Sequence, residues 1–282
     1  MRMAHADDDE QSGWRARYDD DDDEDDGELG LLFPEVPRVD HGFTIKTDSY
    51  VRSCAVHQRH VGQPKELTLS LLKKHHSLWG EYVYNAARVI ADRLDSGEID
   101  VKGKRVLELG AGAGLPGLIA ALNGASHSVI SDYADADLIR VIDLNIDAIA
   151  GYHTCSCSSV GFTFGDSPEV LTRGDGLFDV VLMADLIFNR SEHRKLLASL
   201  RDCLEPNNGQ GWCVFSHHDP AKHLLDLNFF ELARSEFGFT VTRLGEEERK
   251  SWPFVMKDGL DDKRGVVNIY LLRVIRGGGE QM

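Results

Sequence analysis

Long apolar runs, a dense cysteine framework, a basic stripe and a positively charged leader are all missing from this 282-residue chain. No apolar stretch approaches the ~20 residues that a bilayer-spanning helix needs. The N-terminus has neither a basic segment nor an apolar core behind it, so it does not read as a secretory signal. Five cysteines, at 54, 155, 157, 203 and 213, are an odd number and too sparse for a disulfide scaffold. Cys155 and Cys157 stand too close for half of a zinc ribbon, and no second pair follows at ligand spacing. The histidine pairs His75-His76 and His217-His218 lack a third spaced ligand, so no metal site is expected. All five cysteines are read as thiols of a reducing compartment, and a cytoplasmic location is the expectation. Without a sustained Lys/Arg stripe or Arg-Gly repeats, tight sequence-independent binding to nucleic acid is excluded.

What is present is unevenly distributed. The formal net charge is −16, of which −10 falls in residues 1–28, leaving −6 for the rest. The block from Asp19 to Asp26 repels itself and has few apolar residues to offset that, so 1–28 is expected to be a disordered acidic leader. Residues 29–77 are expected to form an extension or arm. Pro34 and Pro37 suggest an extended lead-in there, and Phe43-Thr44-Ile45 and Leu67–Leu72 suggest a small hairpin. Residues 78–276 are expected to be one α/β domain, followed by a tail at 277–282.

Within that domain, apolar positions from Leu78 to Leu94 recur at helical spacing and are closed by Asp95-Ser96-Gly97. Strands then alternate with helices. The spacing predicts strands at 105–109, 128–131, 160–164, 178–183, 212–216, 239–244 and 266–274. It predicts helices at about 116–123 with Gly124 as C-cap, 135–150, 191–204 with Ser191 as N-cap, and 221–237. Short continuous apolar strands alternating with helices imply a parallel sheet covered on both faces. The link between the last two strands is too poor in helix signal for a right-handed crossover, so the last strand is expected to be antiparallel. Seven strands in this arrangement match the class I seven-stranded methyltransferase (Rossmann-like) fold.

The chemistry-bearing segment is Glu108-Leu109-Gly110-Ala111-Gly112-Ala113-Gly114, at the end of the first predicted strand of the sheet. Ligands of open α/β sheets bind there, and glycine lets the backbone approach closely with positive φ. A dinucleotide frame, Gly112, Gly114, Gly117, also exists, but it starts two residues late and contains Pro116. Asp132, ending the next strand about 20 residues after the first glycine, can accept hydrogen bonds from both hydroxyls of a ribose. Asp135 is the better placed helix cap. Phe164 and Asp166 could pack against and read an adenine. Ala184 is small enough to leave room at the next strand end, and Asp185 could cap, bind substrate or accept a proton.

Ser77-Leu78-Trp79-Gly80, Val83–Arg88 and Val106–Pro116 resemble the family-16 lysine methyltransferases. Asp132-Tyr133 and Asn189-Arg190-Ser191-Glu192-His193 resemble the fungal elongation factor 1-alpha N-terminal and lysine methyltransferases, once labelled nicotinamide N-methyltransferase-like. The likeness spans roughly residues 43–275. It implies S-adenosylmethionine as cofactor, contacted by Trp79, Gly110, Ala111, Gly112, Asp132, Phe164 and Ala184. The acid two residues before the first glycine, here Glu108, is typical of methyltransferases and supports the loop near the methionine amino group. Two departures stand out: the family usually has tryptophan at 164, and commonly histidine at 190. A bland role for Trp79, anchoring the arm in the core, stays open.

The resemblance further implies a protein amine as acceptor. A lysine amine, with a pKa of about 10.4, needs help to lose its proton, whereas an α-amine at about 7.7–8.0 needs mainly orientation. Asp185 and Asn189 are expected to line the acceptor entrance, with Tyr82 or Tyr84 as further candidates. Elongation factor 1-alpha is the expected partner, with no membrane and no direct nucleic-acid contact. The alternative is a small-molecule, nicotinamide-like N-methyltransferase on the same fold. A nucleic-acid amino methyltransferase would carry Asn/Asp-Pro-Pro-Tyr where this chain has Asp185-Leu186-Ile187-Phe188. A non-enzymatic binding module is disfavoured by the intact glycine loop and Asp132.

Overall fold

The computed structural model describes residues 43–52, 62–73, 81–249 and 261–275, all within one compact unit spanning Pro37–Met282. An antiparallel hairpin comes first, β1 (Ile45–Val51) pairing with β2 (Glu66–Leu72) so that Ile45 faces Leu72 and Val51 faces Glu66. Helix α1 (Asn85–Ser96) ends on Gly97 in the left-handed conformation. Then follow β3 (Arg105–Leu109), α2 (Leu115–Leu122), β4 (His127–Asp132), α3 (Ala136–Ile149), β5 (Ser156–Gly161) and the single turn α4 (Glu169–Thr172). Next come β6 (Val180–Ala184), α5 (His193–Cys203), β7 (Gln210–Ser216) and α6 (His223–Ser235). The chain closes with β8 (Phe239–Glu248), the short α7 (Asp261–Arg264) and β9 (Val266–Val274).

Strands β3 to β9 form a seven-stranded sheet in the order β5-β4-β3-β6-β7-β9-β8. The first five of that order are mutually parallel, and β9 runs antiparallel to both its neighbours. Side chains alternate across the strands, so each central strand feeds two cores. Val106, Ile130, Val180, Leu182, Val214 and Ile269 pack with α1, α2 and the hairpin. Leu107, Leu109, Val181, Met183, Phe215 and Leu272 pack with α5 and α6. The order reverses between β3 and β6, which opens the crevice at their carboxyl ends.

The expected sheet, its antiparallel last strand and the hairpin in the arm are all found. Four local readings need correction. The third strand of the sheet is Ser156–Gly161 and not 160–164. It is an edge strand of small polar residues, which the apolar signal of Phe162 and Phe164 displaced downstream. Ser191 does not cap α5; it lies in a 3-10 turn, Arg190–Glu192, and its hydroxyl donates to Asn189 Oδ1 at 2.8 Å. The helix expected from Leu78 begins only at Asn85, because Tyr84 is extended with ψ 155°. The fourth strand starts at Val180, since Phe178 makes only a single bridge, to Leu204. Asp135 does cap α3, accepting from the amides of Asp137 and Leu138.

One buried ion pair binds the hairpin to the sheet's helices. Arg52, at the end of β1, donates from Nη2 to Asp95 Oδ1 of α1 at 2.7 Å, and both side chains are fully buried. Its Nε donates to Asp95 Oδ1 as well, at 3.1 Å, while Nη2 also reaches Asn123 Oδ1 at 2.7 Å and Nη1 reaches Gln63 Oε1 at 2.9 Å. Arg52→Met leaves Asp95 as an uncompensated buried charge, and a loss of about 3–5 kcal/mol is expected. Urea unfolding checks this: an unchanged midpoint would show that the hairpin is energetically detached from the domain.

Candidate active site

At the end of β3 the chain turns through Gly110, Gly112 and Gly114, with φ of 59°, 56° and 77°. An L side chain at any of these is strained. The space around the first two positions differs. A Cβ on Gly110 would meet Leu186 Cδ2 at 2.5 Å, while a Cβ on Gly112 would enter open space beside the loop. Two carboxyl groups hold the loop from beneath. The Gly112 amide donates to Asp132 Oδ2 at 2.6 Å, and the Gly117 amide donates to Glu108 Oε2 at 2.7 Å. The Tyr133 amide occupies Asp132 Oδ1 at 2.7 Å. A carboxylate has about four acceptor positions, and these two amides use one on each oxygen.

Glu108 is buried, and its Oε1 has no hydrogen-bond partner among the described residues. Burial holds its carboxyl well above the ordinary range, and the nearby Asp132 pushes the same way.

Across the crevice, β6 ends at Ala184 and the chain turns at Asp185, which has a φ of 56° although it is not glycine. That conformation costs on the order of 1–3 kcal/mol and persists only where neighbours enforce it. Here the Asp185 amide donates to the Val214 carbonyl oxygen, and Asp185 Oδ1 accepts from the Ser216 amide, both at 2.8 Å. Oδ2 is buried without a hydrogen-bond partner among the described residues. Phe188 stacks on His218 with centroids 4.4 Å apart and planes 5° from parallel. Tyr84 stacks on the same imidazole at 5.9 Å, and Tyr82 meets Tyr84 edge-on at 6.2 Å. Burial, with the nearby Asp185 and Glu81, raises the Tyr84 phenol, so Tyr84 is neutral and cannot serve as a base.

Between the two strand ends lies a cavity of about 540 Å³. Gly110, Ala111, Gly112, Asp132, Phe164, Ala184, Asp185 and Asn189 all line it, together with Tyr82 and Tyr84. Trp79 lies outside the described residues, as do His75, His76 and Cys54. Asp166 is not part of the lining, whereas Thr163 is. Reasoning from sequence missed His218, Phe188, Glu192 and Lys195. The last two pair with each other at 2.9 Å on the cavity wall. The sequence offers His218 only as part of a histidine pair and Glu192 only within the Asn189–His193 resemblance. Phe188, Glu192 and Lys195 reach the cavity from the loop after β6 and the start of α5, with His218 stacked on Phe188 from the loop after β7. Arg190 departs from the cavity altogether: its Nε donates to Asp226 Oδ1 at 3.0 Å.

This donor set fits an adenosyl-amino-acid sulfonium. Bare glycine backbone and small Ala184 leave room, Asp132 suits a ribose diol, and Glu108 lies beneath the loop. The Glu108 environment gives a pH signature. A carboxyl raised in the folded state contributes fully below its unfolded pKa of about 4.3, and that contribution is lost as pH rises toward the folded value. Wild type free of cofactor is therefore expected to lose stability relative to Glu108→Gln over that interval. Thermal melts from about pH 4 upward test it, and parallel curves for the two proteins would refute the burial argument.

A family model described as lysine methyltransferase matches residues 63–236. The protein N-terminal and lysine N-methyltransferase efm7 of Schizosaccharomyces pombe is 36% identical over 218 residues, covering 75% of this chain and 84% of that protein. The Yarrowia lipolytica protein of the same name is 35% identical over 250 residues, covering 80% and 89%. Among solved structures, a candidate RNA methyltransferase from Pyrococcus horikoshii superposes with a TM-score of 0.54 at 19% identity, covering 74% of this chain and 92% of that one. At these identities the superposition speaks for the fold, which is that of methyltransferases using S-adenosylmethionine. The chain belongs to the lysine methyltransferase family and is an S-adenosylmethionine-dependent enzyme.

Proposed function

We propose that this enzyme methylates a protein amine, namely the N-terminal amine and/or an adjacent lysine of elongation factor 1-alpha, in the cytoplasm. The observation that carries the acceptor side is Asp185: a strained, buried carboxyl beside Ala184, with Oδ2 unpartnered among the described residues at the wall of the cavity. The Schizosaccharomyces pombe and Yarrowia lipolytica relatives, both named protein N-terminal and lysine N-methyltransferases, support a protein N-terminus and lysine as acceptor class.

In this reading Gly110, Ala111, Gly112, Asp132, Phe164 and Ala184 hold S-adenosylmethionine, with Trp79 as a further contact. The cofactor supplies an electrophilic methyl group. Asp185 Oδ2 accepts the proton that the amine must lose before it can attack, and Asn189 orients the amine through its amide. Neutral Tyr84 and the Phe188–His218 stack exclude water from the attack site, which strengthens the pull of the carboxylate. Phe164 offers less stacking surface than the family's tryptophan, so cofactor affinity leans more on Asp132. Residues 78–276 act as the catalytic domain and 29–77 as an arm. The acidic leader draws in a basic substrate segment electrostatically.

Incubating the protein with methyl-labelled cofactor and purified elongation factor 1-alpha should place label in the protein band. Label recovered only in added nicotinamide would establish the small-molecule reading in its place. Asp132→Ala should weaken cofactor binding about tenfold to a hundredfold, the worth of a charged hydrogen-bond acceptor. Asp185→Ala should leave that affinity within about twofold while transfer falls ~10²–10⁴-fold. Equal transfer by Asp185→Ala and wild type would remove Asp185 from the chemistry. Transfer to lysine should rise with pH well above neutrality, while transfer to the α-amine levels off near pH 8, following about 10.4 and 7.7–8.0 as the free amine values.

A further inference from the structure

Asp226 lies outside the cavity, yet it touches the loop after β6, which lines the acceptor wall, and the loop after β7, which packs against that wall through His218 and Phe188. It sits in the first turn of α6 and is 1% exposed. A buried carboxylate is tolerated there because the helix N-terminus favours negative charge and because both oxygens are engaged. Oδ1 accepts from Arg190 Nε at 3.0 Å, and Oδ2 accepts from His217 Nδ1 at 2.7 Å. Arg190 directly follows Asn189 in the loop after β6. His217 directly precedes His218 in the loop after β7. Among the described residues, the last main-chain hydrogen bond between β6 and β7 runs from the Asp185 amide to the Val214 carbonyl oxygen, and beyond it side chains set the spacing of the two loops, beginning with Asp185 Oδ1 on the Ser216 amide.

We infer that Asp226 is a positioning residue for the acceptor half of the site, acting through Arg190 on Asn189 and through His217 on His218. The second link continues into the cavity wall, since His218 is stacked between Phe188 and Tyr84. A shift of His218 therefore moves Phe188, which itself belongs to the loop that carries Asn189. His193 secures the same loop from the other side, donating from Nε2 to the Ile187 carbonyl oxygen at 2.7 Å. The cofactor loop has its own supports, the Gly112 amide on Asp132 and the Gly117 amide on Glu108. This inference rests on the protein-amine reading only for the identity of the acceptor.

Asp226→Asn and His217→Gln are compared with wild type in the full chain. Calorimetry with S-adenosylmethionine should give dissociation constants within about twofold of wild type, an expectation from the independence of distant sites. With elongation factor 1-alpha as acceptor and saturating cofactor, kcat/KM should fall about tenfold or more in both variants, the scale of a lost charge-assisted bond. The double variant should be no worse than Asp226→Asn alone, because the two changes break the same link. A second readout needs no acceptor: the His218 ring signals, shifted in wild type by Phe188 stacked at 4.4 Å, should move toward free-histidine positions in Asp226→Asn. His217→Gln, at a partly exposed position, keeps the test available if Asp226→Asn fails to fold. Wild-type ring shifts together with wild-type kcat/KM in either variant would overturn the positioning role. A cofactor affinity that weakens in step with kcat/KM would overturn it too. If wild type itself labels nicotinamide and no protein, the acceptor reading fails, while the ring shifts and kcat/KM for nicotinamide still decide the clasp.

Discussion

The hydrogen bond from the Gly112 amide to Asp132 ties the loop after β3 to the end of β4, and the rest of the cofactor half depends on it. Parallel strands end with their last carbonyls and amides unpaired, and a glycine loop leaving one of them has no intrinsic shape. Asp132 gives it one, while Glu108 holds the first turn of α2 from the opposite side. Both carboxyl groups belong to the two central strands whose own pairing is deeply buried. The loop is therefore set by the most rigid part of the molecule, which suits a site that must hold a cofactor without reorganising.

The acceptor half is built on a different principle. It lies at the ends of β6 and β7, and there the turns contain no glycine. Instead a non-glycine residue, Asp185, takes a left-handed conformation that only its bonds to Val214 and Ser216 sustain. Rings from three separate segments stack beyond it, and a buried carboxylate on α6 spans the loops behind. In the proposed function this contrast has a use: one half grips an invariant small molecule, and the other would present a proton acceptor to a protein amine. Strain and long-range side-chain bonds concentrate where specificity resides.

Much of this was legible before any coordinates. Glycines at 110, 112 and 114 behind an apolar strand, with Glu108 before them and Asp132 one strand later, carry their own geometry, because few alternatives satisfy those residue types at those spacings. The strand-helix alternation was equally readable, since central parallel strands are apolar on both faces. The reading failed at β5, where an edge strand of serines and cysteines carries no hydrophobic signature. It failed again at Ser191, whose hydroxyl found Asn189 nearer than a helix amide. Edges and loop termini are governed by neighbours remote in sequence, so local pattern is silent about them.

The sequence by itself determined the class of fold, the place of the cofactor loop and the chemical family, because periodicity and glycine spacing are local properties of the backbone. It also named Asp185 and Asn189 as acceptor candidates from their place after β6. Only the tertiary structure decided what surrounds them. Tyr84, Phe188 and His218 lie in three different connections and meet through the fold alone. Asp226 reaches Arg190 across 36 residues and His217 across 9. Side-chain bonds between loops depend on how strands are ordered in the sheet, and that order is a property of the packed chain.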